Sequence, residues 1–195
     1  MTIIIPLGGS GQRFKLSSPL PKGLIPVLGK GILFWLMDLL SLDGEEVIMP
    51  YNTEYIAHDI ESILQKRYPN TKFYFIPLLE QTRGAAETLR IGIEKYFENN
   101  NDDGPIISID GDNFYLDKVL DLWNKGNKLI VFEDTGPNPI FSYVKLDERN
   151  CISEIKEKDK ISDYANCGAY GFESIKKLHY YCCKIINGRN YLLYM

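Results

Sequence analysis

MTIIIPLGGSGQRFKLSSPLPKGLIPVLGKG, residues 1–31, is the stretch that decides the fold. An apolar, strand-like run, Ile3–Leu7, leads directly into three nearby glycines. The stretch carries only basic charges: Arg13, Lys15, Lys22 and Lys30. The first acidic residue of the chain is Asp38. Because protein surfaces normally mix both signs of charge, this glycine-rich, basic segment predicts that an anion is held there.

The composition is that of an ordinary soluble domain, with 195 residues of which 45% are hydrophobic and 25% charged. We expect one domain, 1–195, and a C-terminal truncation or a longer parent protein stays open. The formal net charge of −4 argues against a nucleic-acid partner. No run approaches the roughly 20 apolar residues of a membrane span, and the first apolar run is too short for a signal peptide. We therefore expect a cytoplasmic protein without a membrane partner; a homo-oligomer is left open.

The cysteines and histidines show no metal-ligand spacing along the chain. The four cysteines are Cys151, Cys167, Cys182 and Cys183. The last two are adjacent and cannot easily pair with each other. The two histidines, His58 and His179, lie far apart in the sequence. We expect reduced and mostly buried thiols, as in a cytosolic protein.

Strand and helix patterns alternate along the chain. Strands are predicted at Ile3–Leu7, Glu46–Pro50, Lys72–Pro77, Pro105–Ile109, Lys128–Glu133, Phe141–Leu146, Ile152–Lys156 and Tyr164–Phe172. Helices are predicted at Ile32–Leu42, Glu54–Arg67 with Thr53 as N-cap, Gly84–Phe97, Tyr115–Asn124 and Ser174–Ile186. This alternation predicts an α/β fold with a mostly parallel sheet, which becomes mixed at the end formed by residues 128–172.

The loop GGSGQRF, residues 8–14, follows the first strand. Glycines let backbone N–H groups approach a phosphate closely, and the Arg13 guanidinium would add a fork-shaped donor. The alternative is a tight turn with a solvated arginine. The loop is not a Walker A motif, and the prolines that follow, at 19, 21 and 26, also argue against a dinucleotide fingerprint because a helix cannot start directly after the glycines.

Two further segments carry charged groups in restrained surroundings. In PKGLIPVLGK, residues 21–30, Pro21 stiffens the backbone that delivers the Lys22 ammonium, although a plain surface lysine is the alternative. In ISIDGDNFY, residues 107–115, Asp110 and Asp112 lie at i and i+2 after an apolar strand and so point to one side. Two carboxylates at the carboxyl end of a strand suit Mg²⁺. The alternative is an Asp-Gly turn that caps the next helix.

Together these motifs resemble the sugar-phosphate nucleotidyltransferase family, and the glucose-1-phosphate thymidylyl- and uridylyltransferases in particular. The resemblance runs from Ile3 to about Phe172 and includes EQTRGAAETL, residues 80–89, and EIKEKDKISDYANCGAYGFES, residues 154–174. It implies the nucleotide-diphosphosugar transferase fold, a Rossmann-like three-layer architecture with a mixed, mostly parallel central sheet.

The resemblance also implies roles for individual residues. Those implied to bind the nucleotide are Leu7, Gly8, Gly9, Gly11, Gln81 and Gly84. Those implied to be catalytic are Arg13 on the departing pyrophosphate, Lys22 on the α-phosphate and Asp112 as the Mg²⁺ ligand, with Asp110 as a second candidate ligand. Those implied to bind the acceptor are Glu157, Lys158, Asn166 and Gly168. Without the resemblance, the charged run around Glu157 would be interpreted as a solvated surface.

The implied reaction joins a nucleoside triphosphate to a sugar 1-phosphate or a similar phosphomonoester and releases pyrophosphate. Two departures from the family pattern keep alternatives open. Ser142 replaces the usual glycine of a Tyr-Gly pair, and no acidic residue follows Glu173 to supply a late metal ligand. The alternatives are a glycosyltransferase with an Asp-x-Asp metal site and a weakly active, nucleotide-binding regulatory relative.

Overall fold

The computed structural model describes residues 1–11, 18–123 and 126–188. Its strands are β1 (Thr2–Ile4), β2 (Pro26–Val27), β3 (Lys30–Gly31), β4 (Glu46–Asn52), β5 (Lys72–Leu78), β6 (Ile106–Ile109), β7 (Lys128–Glu133), β8 (Ser142–Leu146), β9 (Ile152–Glu157) and β10 (Tyr164–Phe172). Its α-helices are α1 (Ile32–Leu40), α2 (Ile60–Arg67), α3 (Ala85–Phe97), α4 (Val119–Leu122) and α5 (Ile175–Ile186). Lys22–Leu24 and Thr53–His58 form 3₁₀ helices.

One mixed sheet organises the described part of the chain. Its eight strands run in the order β5-β4-β1-β6-β10-β8-β9, and β7 also pairs with β10. The neighbours β5, β4, β1 and β6 are parallel, whereas β10 is antiparallel to β6, β7 and β8. The predicted mixed sheet, parallel in its first part and antiparallel toward 128–172, is confirmed.

Side chains of alternating residues feed two cores, one on each face of the sheet. The odd-numbered residues Ile3 and Ile5 pack with α1, α2 and α4, whereas Ile4 packs with α3 and α5. In α1 the buried residues Leu33, Leu36, Met37 and Leu40 follow helical spacing. Helices therefore cover both faces, which gives the expected three layers.

A short hairpin stands between the basic N-terminal segment and α1. Its strands β2 and β3 pair through Pro26↔Gly31 and Val27↔Lys30. The two turn residues, Leu28 and Gly29, both have positive φ, as hairpins with two-residue turns favour. The Trp35 indole of α1 donates to the Val27 carbonyl at 2.8 Å and thereby fixes the hairpin against the helix.

A bulge in β10 shapes the carboxyl edge of the sheet. The pairing of β10 with β7 shifts register between Asn166 and Ala169, and Gly168, inside the shift, has φ +82°. The Gly168 carbonyl accepts a 2.8 Å hydrogen bond from the Asp110 amide at the end of β6. The bulge therefore ties β10 to the Asp-Gly-Asp turn, and bulges of this kind are common beside functional sites.

Two predicted helices differ most from the structure; the others lose only one or two terminal residues, such as Ile32–Leu42, which ends at Leu40. The helix predicted over Glu54–Arg67 is interrupted at Asp59, which has φ 50° and separates the 3₁₀ helix from α2. The predicted N-cap at Thr53 was also wrong, because the Asn52 side chain accepts from the Glu54 amide instead. An aspartate tolerates the left-handed conformation, and the break lets both Tyr55 and Ile60 reach the core.

The helix predicted over Tyr115–Asn124 is reduced to the four residues of α4, and Asn124 lies outside the described residues. The Tyr115 hydroxyl donates to the Cys167 carbonyl at 3.0 Å, which holds this segment against β10 in a non-helical path. The predicted strand Ile3–Leu7 likewise ends at Ile4 as a regular strand, with an isolated bridge from Leu7 to Tyr51.

The four cysteines are free, as expected, but only Cys182 is buried; Cys167 and Cys183 are half-buried and Cys151 is exposed. The prediction of mostly buried thiols was therefore wrong. Cys182 packs in the core beneath α3 and α5, whereas the next residue, Cys183, is half-buried. Among the described residues, no helix combines the length and apolarity needed to cross a lipid bilayer.

A glycine contact near the C-terminal end of β10 offers a test of this packing. The Trp123 indole donates to the Gly126 carbonyl at 3.0 Å and lies against Gly171, where an added Cβ would stand 2.5 Å from Trp123 Cδ1. We predict that Gly171→Ala lowers the free energy of unfolding by roughly 1–3 kcal/mol, measured by urea titration. Gly9→Ala, where a Cβ meets nothing within 4 Å, is the control. Equal stabilities of the two variants would contradict this packing.

Candidate active site

The carboxyl ends of the parallel strands bring three sequence motifs to one edge of the sheet. Beyond β1, the Leu7 amide donates to the Pro50 carbonyl at 2.8 Å and the Leu7 carbonyl accepts from Asn52 at 3.1 Å. The glycine loop therefore begins at this edge. The Asp-Gly-Asp turn begins at the same edge because β6 pairs in parallel with β1. In open α/β sheets this edge is where ligands bind.

The first glycine of the loop packs tightly against the start of α3. A Cβ on Gly8 would lie 2.5 Å from Thr88 Oγ1 and 2.9 Å from Leu78 Cδ1. The Gln81 side-chain amide donates to the Gly8 carbonyl at 3.1 Å. Gly84 lies at the N-terminus of α3, where its carbonyl accepts from the Thr88 amide at 3.2 Å. The predicted nucleotide residues Gly8, Gln81 and Gly84 are thus brought together around one turn.

Lys22 and Asp112, which are 90 residues apart in the sequence, form an ion pair between the Lys22 ammonium and the Asp112 carboxylate. The 3₁₀ turn that carries Lys22 is anchored by its Gly23 amide, which donates to the Tyr55 hydroxyl at 3.0 Å. Gly11, with φ +59°, lies over the lysine, since its Cβ position is 3.5 Å from Lys22 Cβ. The structure therefore unites the glycine loop, the Pro-Lys segment and the Asp-Gly-Asp turn.

Asp110 is the more buried of the two acids. Burial raises its pKa to about 6, although the nearby positive charge of Lys22 acts in the opposite direction. Gly168 packs directly on it: a Cβ there would lie 2.7 Å from Asp110 Oδ2 and 2.5 Å from Asn113 Nδ2. Asp110 is thus close enough to Lys22 to sense its positive charge, and the Asp112 carboxylate pairs directly with the Lys22 ammonium.

A small cavity of about 150 Å³ lies between the glycine loop and the acids. Its walls include Leu7, Gly9, Lys22, Tyr55, Gly111 and Asp112. This volume is below the roughly 300–1,000 Å³ of whole-ligand pockets and matches part of a ligand, such as a phosphate group. A nucleotide held there would have to extend outward over the loop toward Gln81.

A larger cavity, of about 400 Å³, opens on the other side of the Asp-Gly-Asp turn. Asn113 and Asn166 provide polar groups, whereas Phe114, Phe132 and Phe141 give it aromatic walls. The Phe132 and Phe141 rings meet edge to face with centroids 5.0 Å apart. Because Asn113 directly follows Asp112, this mostly apolar cavity adjoins the charged cluster.

The predicted acceptor residues divide between this cavity and its rim. Asn166 lines the cavity, donates to the Tyr170 hydroxyl at 2.8 Å and accepts from the Gly168 amide at 2.8 Å. Glu157 and Lys158 lie outside the walls, with exposed side chains 3.6 Å apart. The Lys158 amide donates to the Phe141 carbonyl at 2.8 Å, so its backbone reaches the aromatic wall while its ammonium faces solvent.

The basic residues of the N-terminal segment have different surroundings. Arg13 and Lys15 lie outside the described residues. The Lys30 ammonium donates to Asp38 at 2.7 Å and lies 3.4 Å from the centroid of the Trp35 ring. The segment is acid-free in sequence, yet Lys22 and Lys30 meet acids from later in the chain. Lys30 is consequently part of the hairpin and not of the cavity.

Sequence reasoning missed several residues that build the site. Tyr55 lines the small cavity and supports Lys22 through Gly23, and burial raises its pKa to about 12. Thr88 packs on Gly8, and the Asn113 side chain donates to the Cys167 carbonyl at 3.0 Å. Thr88 and Asn113 fall within the quoted motifs and could have been singled out there, whereas Tyr55 depends on a long-range contact without a local signal.

The burial of Asp110 predicts that the protein loses folding stability as pH rises. Its pKa is higher in the folded chain than the ordinary 3.8, so folding takes up a proton and the associated stability is lost as pH rises through about 6. We predict that Asp110→Asn is more stable than the parent at pH 8, by up to roughly 3 kcal/mol, and that this gain vanishes near pH 4.

Chemical denaturation across this pH range measures the difference. Asp112→Asn is the matched control, because it breaks the ion pair with Lys22 and should not stabilise the protein. If Asp110→Asn were no more stable than the parent at pH 8, ionised Asp110 would carry no burial cost.

Comparison with known proteins agrees with this architecture. The nucleoside-diphosphate-sugar pyrophosphorylase from Vibrio cholerae RC9 superposes with a TM-score of 0.76 at 21% identity, over 94% of this chain and 78% of that one. HddC from Yersinia pseudotuberculosis complexed with GMP-PN gives 0.67 at 19%, over 91% and 78%. The inositol-1-phosphate CTP transferase from T. maritima gives 0.69 at 16%, over 96% and 81%.

At these identities the structural likeness establishes the fold. A search of curated proteins found no significant match. The sequence itself, however, matches the model of the nucleotidyl transferase family over residues 2–181. That match spans every motif described above, from the glycine loop to the β10 bulge. The chain therefore belongs to the nucleotidyl transferase family.

Proposed function

We propose that this protein transfers a nucleotidyl group from a nucleoside triphosphate to a sugar 1-phosphate or a similar phosphomonoester, with Mg²⁺, and releases pyrophosphate. The observation that carries the proposal is the ion pair of Lys22 with Asp112 in the wall of the glycine-loop cavity, one residue before Asn113 in the wall of the larger apolar cavity. The charged cluster would then be next to the places for two substrates.

The glycine loop would bind the nucleoside triphosphate. Backbone amides of Gly8, Gly9 and Gly11 would hold the triphosphate, and Gln81, already docked on the Gly8 carbonyl, would face the base. The Lys22 ammonium would turn from Asp112 to the α-phosphate and neutralise the charge that builds up there. Arg13 is assigned to the departing pyrophosphate on the family resemblance. No covalent intermediate is needed, since positioning and charge neutralisation are sufficient for such a step.

The two acids fit a divalent metal ion. Asp110 and Asp112 offer carboxylate oxygens, the ligands that Mg²⁺ prefers; Asp112 pairs with the Lys22 ammonium, and the same positive charge acts on the pKa of Asp110. A positive charge at this point would also offset the burial of ionised Asp110. When bound, Mg²⁺ would screen the repulsion between the two anionic substrates. Gly168 and Asn113 hold Asp110 in place for that task.

The larger cavity would bind the phosphorylated acceptor. Its aromatic walls suit the apolar face of a sugar ring or a similar skeleton, and Asn113 and Asn166 stand where hydroxyl groups could be met. Lys158, at the rim, would reach back over Phe141 to the acceptor phosphate. A movement of the exposed Glu157–Lys158 side chains toward the cavity would therefore accompany acceptor binding.

The roles of Lys22 and Asp112 are tested by truncation. We predict that Lys22→Ala and Asp112→Ala each lower kcat at least roughly a hundredfold, because each removes a group that stabilises the transition state, while the fold is kept. Pyrophosphate release is the measurement, with circular dichroism as the check of folding. Lys145→Ala, an exposed lysine on β8, is the control and should keep full activity. Near-normal turnover in either site variant would overturn the assignment.

The products separate this reaction from glycosyl transfer. The proposal predicts that pyrophosphate appears with a nucleoside diphosphate sugar, when common triphosphates are screened against phosphorylated sugars and alcohols. Release of a nucleoside diphosphate from a sugar nucleotide would indicate a glycosyltransferase. Triphosphate binding without turnover for every acceptor would indicate a regulatory protein.

Replacing Lys158 should change the KM of one substrate only. We predict that Lys158→Ala raises KM for the phosphorylated acceptor roughly tenfold, the cost of one charged hydrogen bond, and leaves KM for the triphosphate unchanged. Lys156→Ala is the matched control, because that lysine lies two residues away and contacts Glu154 and Asp159 instead. Equal effects of the two variants, or an effect on the triphosphate alone, would exclude Lys158 from the acceptor site.

A further inference from the structure

A second group of ligand-type side chains lies between α3 and α5, the two helices that cover one face of the sheet. Glu94 of α3 and His179 and Cys183 of α5 each offer one ligand atom, and all three atoms lie within 4.8 Å of one another. None of these residues lines either cavity of the candidate active site. The mechanism proposed above does not use them.

Two of the three ligand–ligand distances are close to those of a tetrahedral zinc site, and the third is below 4.8 Å. His179 Nε2 lies 3.6 Å from Cys183 Sγ and 3.1 Å from Glu94 Oε1. Ligand atoms 2.0–2.3 Å from a tetrahedral Zn²⁺ stand about 3.3–3.6 Å apart. His179 and Cys183 are four residues apart on one helix and therefore share a face. Their atoms already stand at about the separation that a common ion requires.

The surroundings also suit a bound cation. The side chains of His179 and Glu94 are 29% and 42% exposed, so an ion and a fourth, water ligand can enter from solvent. The Arg90 guanidinium donates to both Glu94 oxygens at 2.7 and 2.8 Å and fixes the carboxylate toward α5. Hydrogen bonds of this kind commonly orient the carboxylate ligands of metals.

We propose that Glu94, His179 and Cys183 form a zinc site that fastens α5 to α3. Mixed thiolate, imidazole and carboxylate ligands favour Zn²⁺ over the Mg²⁺ expected at the two aspartates. Binding would displace the Cys183 thiol proton and join the two helices that cover one face of the sheet. The site is independent of nucleotidyl transfer, and its loss should leave the active-site chemistry intact.

Cobalt substitution of the metal-free protein, kept reduced with a phosphine, tests the proposal. We expect one tetrahedral Co²⁺ per chain, recognised by its visible absorption and by a near-ultraviolet sulfur-to-cobalt charge-transfer band; any Co²⁺ at Asp110 and Asp112 has no sulfur ligand and gives no such band. Cys183→Ser should remove that band. Loss of a residue that only hydrogen-bonds to a metal ligand lowers metal affinity roughly 10–100-fold, and His179→Gln should lower the Co²⁺ affinity by more than that because it removes a ligand. Cys151→Ser, which changes an exposed cysteine elsewhere, should behave as the parent.

Thermal unfolding with Zn²⁺ and with a chelator gives a second readout. Zn²⁺ should raise the midpoint of the parent and of Cys151→Ser, but not that of His179→Gln or Cys183→Ser. The proposal is overturned if the parent binds no stoichiometric metal, or if the charge-transfer band survives in Cys183→Ser. In that case the chain Arg90–Glu94–His179–Cys183 is a hydrogen-bonded contact alone. Should Cys183→Ser fail to fold, His179→Gln and Glu94→Gln decide the question by the same midpoint shift.

Discussion

The ion pair between Lys22 and Asp112 is the contact around which the candidate active site is arranged. It joins the end of the glycine-rich segment to the turn after β6, across 90 residues of sequence. The pairing of β1 with both β4 and β6 makes it possible, because it places the carboxyl ends of these strands side by side. A triphosphate could replace the carboxylate as the partner of Lys22, and a divalent metal ion could replace the ammonium as the partner of Asp112, so the two ligands together could rearrange this pair.

The site is maintained at a cost to the fold. Asp110 is half-buried beside a bulge in β10, where Gly168 takes a left-handed conformation and leaves no room for a Cβ. A neutral side chain at 110 would remove the burial cost at neutral pH, and an unbulged strand would pair more regularly with β7. Local features that lower stability at such a point are typical of functional sites, where ligand binding depends on the strained or buried group.

The sequence predicts the layers of strands and helices better than the local breaks, bulges and cavities. Alternating apolar residues were sufficient for most strands, whereas the metal-binding role expected of Asp110 and Asp112 from their spacing stays a prediction. The break at Asp59, the bulge at Gly168 and the larger cavity could not be predicted, because they depend on contacts between distant segments. Lys30 shows the same limit, since its partner Asp38 lies on a helix that folds back over the hairpin. The group at Glu94, His179 and Cys183 was missed because its carboxylate comes from another helix.

The most direct test of the account is a crystal structure with Mn²⁺ and a non-hydrolysable nucleoside triphosphate. We expect an anomalous peak beside Asp110 and Asp112 and the triphosphate along Gly8, Gly9 and Gly11. The Lys22 ammonium should have moved from Asp112 to a phosphate oxygen. A nucleotide bound elsewhere, with Lys22 still paired to Asp112 and no metal at the two acids, would contradict it.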